Sequence, residues 1–169
     1  KLEPFFERRL LKDELEIAAV RETVRHTEAA ISGAIDSIRR ANISATGILE
    51  LDGEQLTSER VRREMHQYLI ERDCVASHTI VSCGSDTSMP HEEGHGPLHA
   101  NQPIIIDCNP RSASNGYYCD ITRTIVRGTA PTALQRQYEA VLEAQEFAHG
   151  MLKPGANGKE IHASVTEFL

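Results

Sequence analysis

At 169 residues, with 40 % hydrophobic residues, the chain is long enough for one ordinary domain or for a piece of a larger one, and global disorder is excluded. A net charge of −7 and a pI near 5.6, with no basic stripe to offset them, exclude an ordinary nucleic-acid-binding protein. No apolar stretch approaches the roughly 20 residues of a membrane span, so no membrane partner is expected. The opening KLEPFFERRLLKDE lacks the apolar core of a signal peptide, so a cytoplasmic location is expected. A chain that opens at lysine is also expected to have lost its true start.

From Lys12 to about Ala41 the spacing predicts a long amphipathic helix, with Ile17, Val20, Val24, Ile31, Ile35 and Ile38 as the stripe facing a sheet. Asp52-Gly53 marks a turn. Thr57 or Ser58 caps a second helix whose face is Val61, Met65 and Leu69 and whose end lies near Asp73. His26 and His66 fall among charged residues on these helices and are read as solvated. His78–Cys83 reads as a short strand, and Gly84–Met89 as the loop that leaves it.

The loop leads into Pro90–His99, where three histidines and two glutamates crowd together. Imidazole serves both as a metal ligand and as a proton carrier, so the cluster suits either role. Pro90, Gly94, Gly96 and Pro97 deny the H-E-E-G-H run a helix, which separates it from the helical H-E-x-x-H of zinc proteases. A solvated histidine-rich loop is the competing reading.

Pro103–Gly128 reads as two strands joined by a Pro/Ser/Asn/Gly turn, with one aspartate inside each apolar or β-branched run. Aspartate is depleted in strands and costly to bury as a charge. A hairpin centred on Ala113 and Ser114 pairs Asp107 directly with Asp120, with Cβ atoms about 5 Å apart on one face. Like charges so placed require a shared proton or a cation. Strand alternation puts Tyr118, Asp120, Thr122 and Thr124 on the polar face and Tyr117, Cys119, Ile121 and Ile125 on the packing face. Ordinary turn chemistry at Asn115-Gly116 is the alternative account of Asp120.

Thr132 and Gln135 form a capping box for a third helix with Leu134, Tyr138, Val141, Ala144 and Ala148 on its buried stripe, ended by Lys153-Pro154-Gly155. Asn157 with Glu160 opens a fourth helix through Ile161 and Val165, inside which the sequence stops at Leu169. Halting there is not expected of a natural terminus. The cysteines at 74, 83, 108 and 119 show no C-x-x-C pair and read as reduced thiols, with Cys108 and Cys119 pointing into the core rather than toward a metal.

PHEEGHGPL at 90–98, PIIIDCNPR at 103–111, GYYCDITRTIVRG at 116–128 and YEAVLEAQ at 138–145 resemble successive blocks of the pita-bread metallopeptidases. That family comprises methionine aminopeptidase, aminopeptidase P, prolidase and creatinase, and the likeness runs from about Lys12 to the end, nearest to the Xaa-Pro peptidase branch. The chain departs from the family in having Cys108-Asn109-Pro110 where an aromatic residue and glycine are common, and in a longer turn than the methionine enzymes have. The resemblance implies an α+β fold, with residues 1–169 as the N-terminal portion of the catalytic domain and the second half absent. It implies hydrolysis of the bond between an N-terminal residue and proline, by water activated between two divalent ions of manganese, cobalt or zinc. Asp107 would chelate one ion and Asp120 bridge both, with a histidine and two glutamates coming from the missing half. His91 would hold or protonate the substrate, His95 would contact it more weakly, and His99 would have no role. The implied partner is a peptide or dipeptide with proline at its second position, and a homodimer is compatible. A creatinase-like amidinohydrolase or a non-enzymatic binding module on the same fold is the alternative.

Overall fold

The computed structural model describes residues 6–169, which divide into one unit running to Thr129 and a second, Ala130–Leu169. The first begins in earnest at α1 (Glu14–Arg40). The Asp13 carboxylate accepts from the Glu16 N–H, and the Glu16 carboxylate accepts from the Asp13 N–H, both at 2.9 Å. Such a reciprocal cap contributes about 1 kcal/mol.

The buried face of α1 is Thr23, Thr27, Ala30, Ile31, Ala34, Ser37 and Ile38. Ile31 and Ile38 of the expected stripe are buried, whereas Ile17, Val20, Val24 and Ile35 are only half-buried. Small residues let α1 approach its neighbours closely. Thr23 and Thr27 are silent in a hydrophobic pattern, yet their hydroxyls donate to carbonyls one turn back, at 3.2 and 2.8 Å, and so need no outside partner.

After α1 come β1 (Asn42–Ile43), β2 (Leu49–Leu51) and β3 (Glu54–Gln55), a small antiparallel sheet. Asp52 and Gly53, at φ 58° and 81°, make the two-residue turn between β2 and β3 that the sequence marks. Thr57 accepts the Arg60 N–H at 3.2 Å and caps α2 (Ser58–Ile70), which buries Val61, Met65 and Leu69 as expected.

The chain continues through β4 (Cys74–Val75), β5 (Ile80–Cys83), a 3-10 turn at Gly84–Ser88, β6 (Pro103–Cys108), β7 (Arg111–Ser112) and β8 (Ile121–Val126). β6 is central in the antiparallel sheet β5-β6-β8, and β4 pairs β7. The alternation expected of a half-covered strand is clear in β6. Ile104, Ile106 and Cys108 are fully buried with Val81 and the α1 and α2 side chains, while Ile105 and Asp107 are half-buried on the other face. The strand expected at His78 begins at Ile80, and Thr79 just before it points inward to meet His66 and Cys108.

The second unit is a pair of helices, α3 (Thr132–Met151) and α4 (Gly158–Phe168). The expected Thr132/Gln135 capping box does not form. Pro131 occupies the cap position without a side-chain bond, and the Gln135 amide donates instead to the Ala130 carbonyl at 2.8 Å. Ala144 is buried as expected, but Tyr138 and Val141 of the same stripe are 60 % and 62 % exposed. Phe147 and Phe168 stack with centroids 5.1 Å apart. Asn157 caps α4 as read from sequence, accepting the Lys159 N–H and donating to Glu160, both at 3.1 Å.

Candidate metal centre

Asp107 is delivered by β6, whose alternate residues are committed to the core, so its carboxylate lies on the sheet face turned away from α1 and α2. Its direct partner is Thr122 and not Asp120: the register pairs Asp107 with Thr122 and Cys108 with Ile121. The hairpin therefore differs from the one expected. The Ser112 N–H bonds the Tyr117 carbonyl at 2.9 Å and the Gly116 N–H bonds the Ser112 carbonyl at 2.9 Å, which closes a four-residue turn, Ala113–Gly116. Asn115 accepts the Tyr117 N–H at 2.9 Å, and Gly116 takes the φ of 81° that the turn demands. The turn centre sits one residue later than the composition suggested, which shifts each cross-strand partner by two positions.

A shift of two preserves the faces, because side chains alternate with a period of two. Asp120, just before β8 and diagonal to Asp107, therefore stays on the same face as Asp107. The two carboxylates remain neighbours: the Asp120 carboxyl is pushed above its usual range by burial, then by the charge of Asp107 and a hydrogen bond with it. The Thr122 hydroxyl donates to Asp107 Oδ1 at 2.8 Å. Reading the sequence placed Thr122 on the polar face without a role; the signal that could have assigned one is its spacing of two from Asp120.

Neither aspartate has an ion-pair partner among the described residues. Two adjacent carboxylates without a compensating cation form a hard-oxygen donor set that fits divalent ions. Among the described residues no group of three histidine, cysteine or acidic side chains comes together to complete a metal site. Cys108 and Cys119 turn inward, 0 % and 7 % exposed, and burial pushes the Cys108 thiol up to about 11. All four cysteines are free.

The histidine-rich loop is stitched to the scaffold by its backbone. The Val81 N–H bonds the Glu93 carbonyl at 2.9 Å, Arg62 donates to the Glu93 and Gly94 carbonyls, and Ser58 and Glu59 bond the Gly96 backbone. Burial raises the Glu59 carboxyl, but its hydrogen bonds, the one from Gly96 among them, outweigh this and hold it below its usual range. His91, Glu93 and His95 are left outside, while Leu98 is buried. His91 is exposed and makes no hydrogen bond among the described residues, and His95 is exposed with Nδ1 3.3 Å from Glu92. Neither is in hydrogen-bond contact with Asp107 or Asp120. His66 is not solvated as expected: it is half-buried, with Nε2 2.9 Å from the Thr79 hydroxyl, and burial followed by the Arg62 charge lowers its pKa.

Helices on one face of an antiparallel sheet, with an aspartate pair on the other, are the arrangement of a pita-bread metallopeptidase fold. The chain belongs to metallopeptidase family M24, whose model matches residues 18–169. It is 29 % identical over 163 residues to Xaa-Pro aminopeptidase 2 of Streptomyces coelicolor, covering 95 % of this chain and 32 % of that protein. It is also 29 % identical to the Xaa-Pro dipeptidase of Pyrococcus furiosus, covering 42 % of that protein. The fold matches the solved prolidase from Pyrococcus furiosus with a TM-score of 0.77 at 24 % identity, over 96 % of this chain and 44 % of the other. The Glu383Ala Escherichia coli aminopeptidase P in complex with substrate matches with a TM-score of 0.77 at 23 % identity, over 96 % of this chain and 34 % of the other. The chain thus spans from just under a third to under half of the proteins it resembles.

Proposed function

We propose that this chain supplies the first half of the catalytic domain of a metal-dependent exopeptidase that cleaves an N-terminal residue from proline. The observation that carries this reading is the pair of adjacent carboxylates, Asp107 and Asp120, on one sheet face, with no ion-pair partner for either among the described residues. In this scheme Asp107 and Asp120 would hold divalent ions, manganese, cobalt or zinc, together with ligands from the rest of the domain. When bound, such ions polarise the scissile carbonyl and acidify a water into the neutral range. Thr122 fixes one oxygen of Asp107 by hydrogen bonding and so holds the carboxylate in place. His91, exposed on a loop whose backbone is anchored to β5 and α2, is assigned to hold or protonate the substrate, and His95 to contact it. Retention of both aspartates favours this over metal-free hydrolysis or a binding module on the same fold.

The test is direct. The full-length protein, incubated with Mn²⁺, should hydrolyse Leu-Pro or Leu-Pro-Ala in preference to Leu-Ala, lose this on chelation and regain it on adding the ion back. Failure to cleave any Xaa-Pro peptide with manganese, cobalt or zinc present would overturn the reading.

A further inference from the structure

The face of the hairpin that carries the aspartates continues past them toward the turn. Asn109 and Arg111 follow Asp107 at two-residue spacing, and Tyr118 precedes Asp120 by two, so the alternation that exposes the aspartates brings these residues to the same side. The bridge between Arg111 and Tyr118 keeps this register up to the turn. Val75 pairs Arg111 from β4. Val75, Ser77, Asn109, Arg111, Ala113 and Tyr118 line a cleft of about 290 Å³.

The polar groups of this cleft are largely unused. Arg111 Nε donates to the Gly116 carbonyl at 3.3 Å, and no carboxylate pairs with the guanidinium among the described residues. The Ser77 hydroxyl and the Asn109 amide make no hydrogen bond among the described residues. A Cβ at Gly116 would stand 3.3 Å from Arg111 Nη2, so the turn glycine leaves the guanidinium room. Tyr118 and Val75 are 64 % and 51 % exposed, which is costly apolar surface unless something packs on it. An arginine fork without a counter-ion, flanked by a hydroxyl, an amide and an aromatic ring, suits a carboxylate on a short aliphatic stem.

We infer that this cleft is a subsite for a carboxylate of the substrate, with Arg111 as the residue that selects it. The inference rests on the peptidase reading, since only there do the aspartates mark the scissile bond. Arg111 bridges to Tyr118, two strand positions or about 7 Å from Asp120, and adjacent peptide residues are about 3.8 Å apart, so the carboxylate belongs to a residue within about two of that bond. Its source is either an acidic side chain on the N-terminal residue or the free terminal carboxylate of a dipeptide.

Ratios of kcat/KM in the full-length, Mn²⁺-loaded protein separate these sources. Glu-Pro-Ala against Gln-Pro-Ala reads the side chain, and Leu-Pro against Leu-Pro amide reads the terminus. At least one ratio should exceed about 10 and should fall about 10- to 100-fold in Arg111→Met, the worth of a charge-assisted hydrogen bond. Arg111→Lys should recover part of it, and Arg39→Met, on the far surface of α1, should not move it. Ratios near one in the unaltered protein, or a preference that survives Arg111→Met, overturn the inference and leave the peptidase reading standing. If no Xaa-Pro peptide is cleaved, that reading falls, and glutarate titrated by NMR judges the cleft alone. Shifts at Tyr118 that vanish in Arg111→Met support the subsite, and their absence at about 10 mM glutarate, far above the usual range of substrate affinities, overturns it.

Discussion

Asp107 and His91, the residues proposed for the site, are placed in two different ways, one held by packing and one left free by it. Asp107 cannot leave its sheet face without pulling Ile106 and Cys108, both 0 % exposed, out of the core. Its position is therefore enforced by the apolar residues beside it. In the full-length protein, Asp120→Ala should lose bound metal and Xaa-Pro turnover together, as read by metal analysis alongside kinetics. His91→Ala should keep its metal and lose turnover by about 10²- to 10⁴-fold, the usual worth of a positioned acid or base. A His91→Ala protein that sheds metal while folded would make the histidine a ligand, and one with full activity would make its loop a solvated turn.

His66 carries a pH dependence with a definite sign. Its pKa is lowered in the folded protein by burial and by Arg62, so the unfolded chain binds the proton more readily. Stability is then complete above the unfolded value of about 6.5 and declines as pH falls through it toward the folded value. Urea midpoints of the chain measured from pH 7.5 to 5 should show this decline, and His66→Gln should flatten it. A midpoint profile identical in the two proteins would remove His66 from the account.

At the scale of elements, the loop from Pro90 to Gly96 shows how irregular backbone is made rigid. Gly94 runs so close to β5 that a Cβ there would stand 2.1 Å from the Val81 carbonyl oxygen, at a φ of 77° that side chains rarely adopt. Gly94→Ala should destabilise the chain by about 2 to 4 kcal/mol or displace the loop, since both backbone strain and a backbone clash oppose it. Denaturant unfolding reads the first outcome, and loss of slow hydrogen exchange at the Val81 amide reads the second. Gly96→Ala, with nothing within 4 Å of its Cβ, meets only the strain at φ 73° and should cost less. The hairpin teaches a related lesson. Its existence was plain from two β-branched runs around a turn, but the turn centre depends on which of several adjacent Ser, Asn and Gly residues takes the left-handed conformation. Local composition did not choose between them, and the choice of Gly116 moved Asp107 from Asp120 to Thr122.

For the whole molecule, the candidate centre within residues 1–169 consists of two carboxylates with no third ligand beside them among the described residues. An ion held by two oxygens keeps most of its water and binds weakly. Calorimetric titration of this chain with Mn²⁺ should give a Kd weaker than about 10 μM, against the much tighter binding of sites with full ligand sets. Submicromolar binding would mean that further ligands lie within the chain, with His91, Glu93 and His95 the first to mutate.

Much of this was legible along the chain because it is written in short-range patterns. The capping residues Asp13, Thr57 and Asn157 lie within three positions of the backbone groups they satisfy, and the alternation of β6 and the Asp52-Gly53 turn are equally local. The family resemblance rested on such blocks, and the match over residues 18–169 bears it out. Tertiary contact decided the rest. The buried face of α1 runs through Thr23, Thr27, Ala30 and Ala34 because close approach to neighbouring elements favours small side chains, and hydropathy cannot report that. His66 is drawn inward by Thr79, thirteen residues away, a partner that no periodicity announces. The Thr122–Asp107 bond and the cleft at Arg111 follow from a register that only the closed turn selects. The kinds of residue on each face were set by a period of two that any even shift preserves, while the partner each residue meets was set by the folded hairpin.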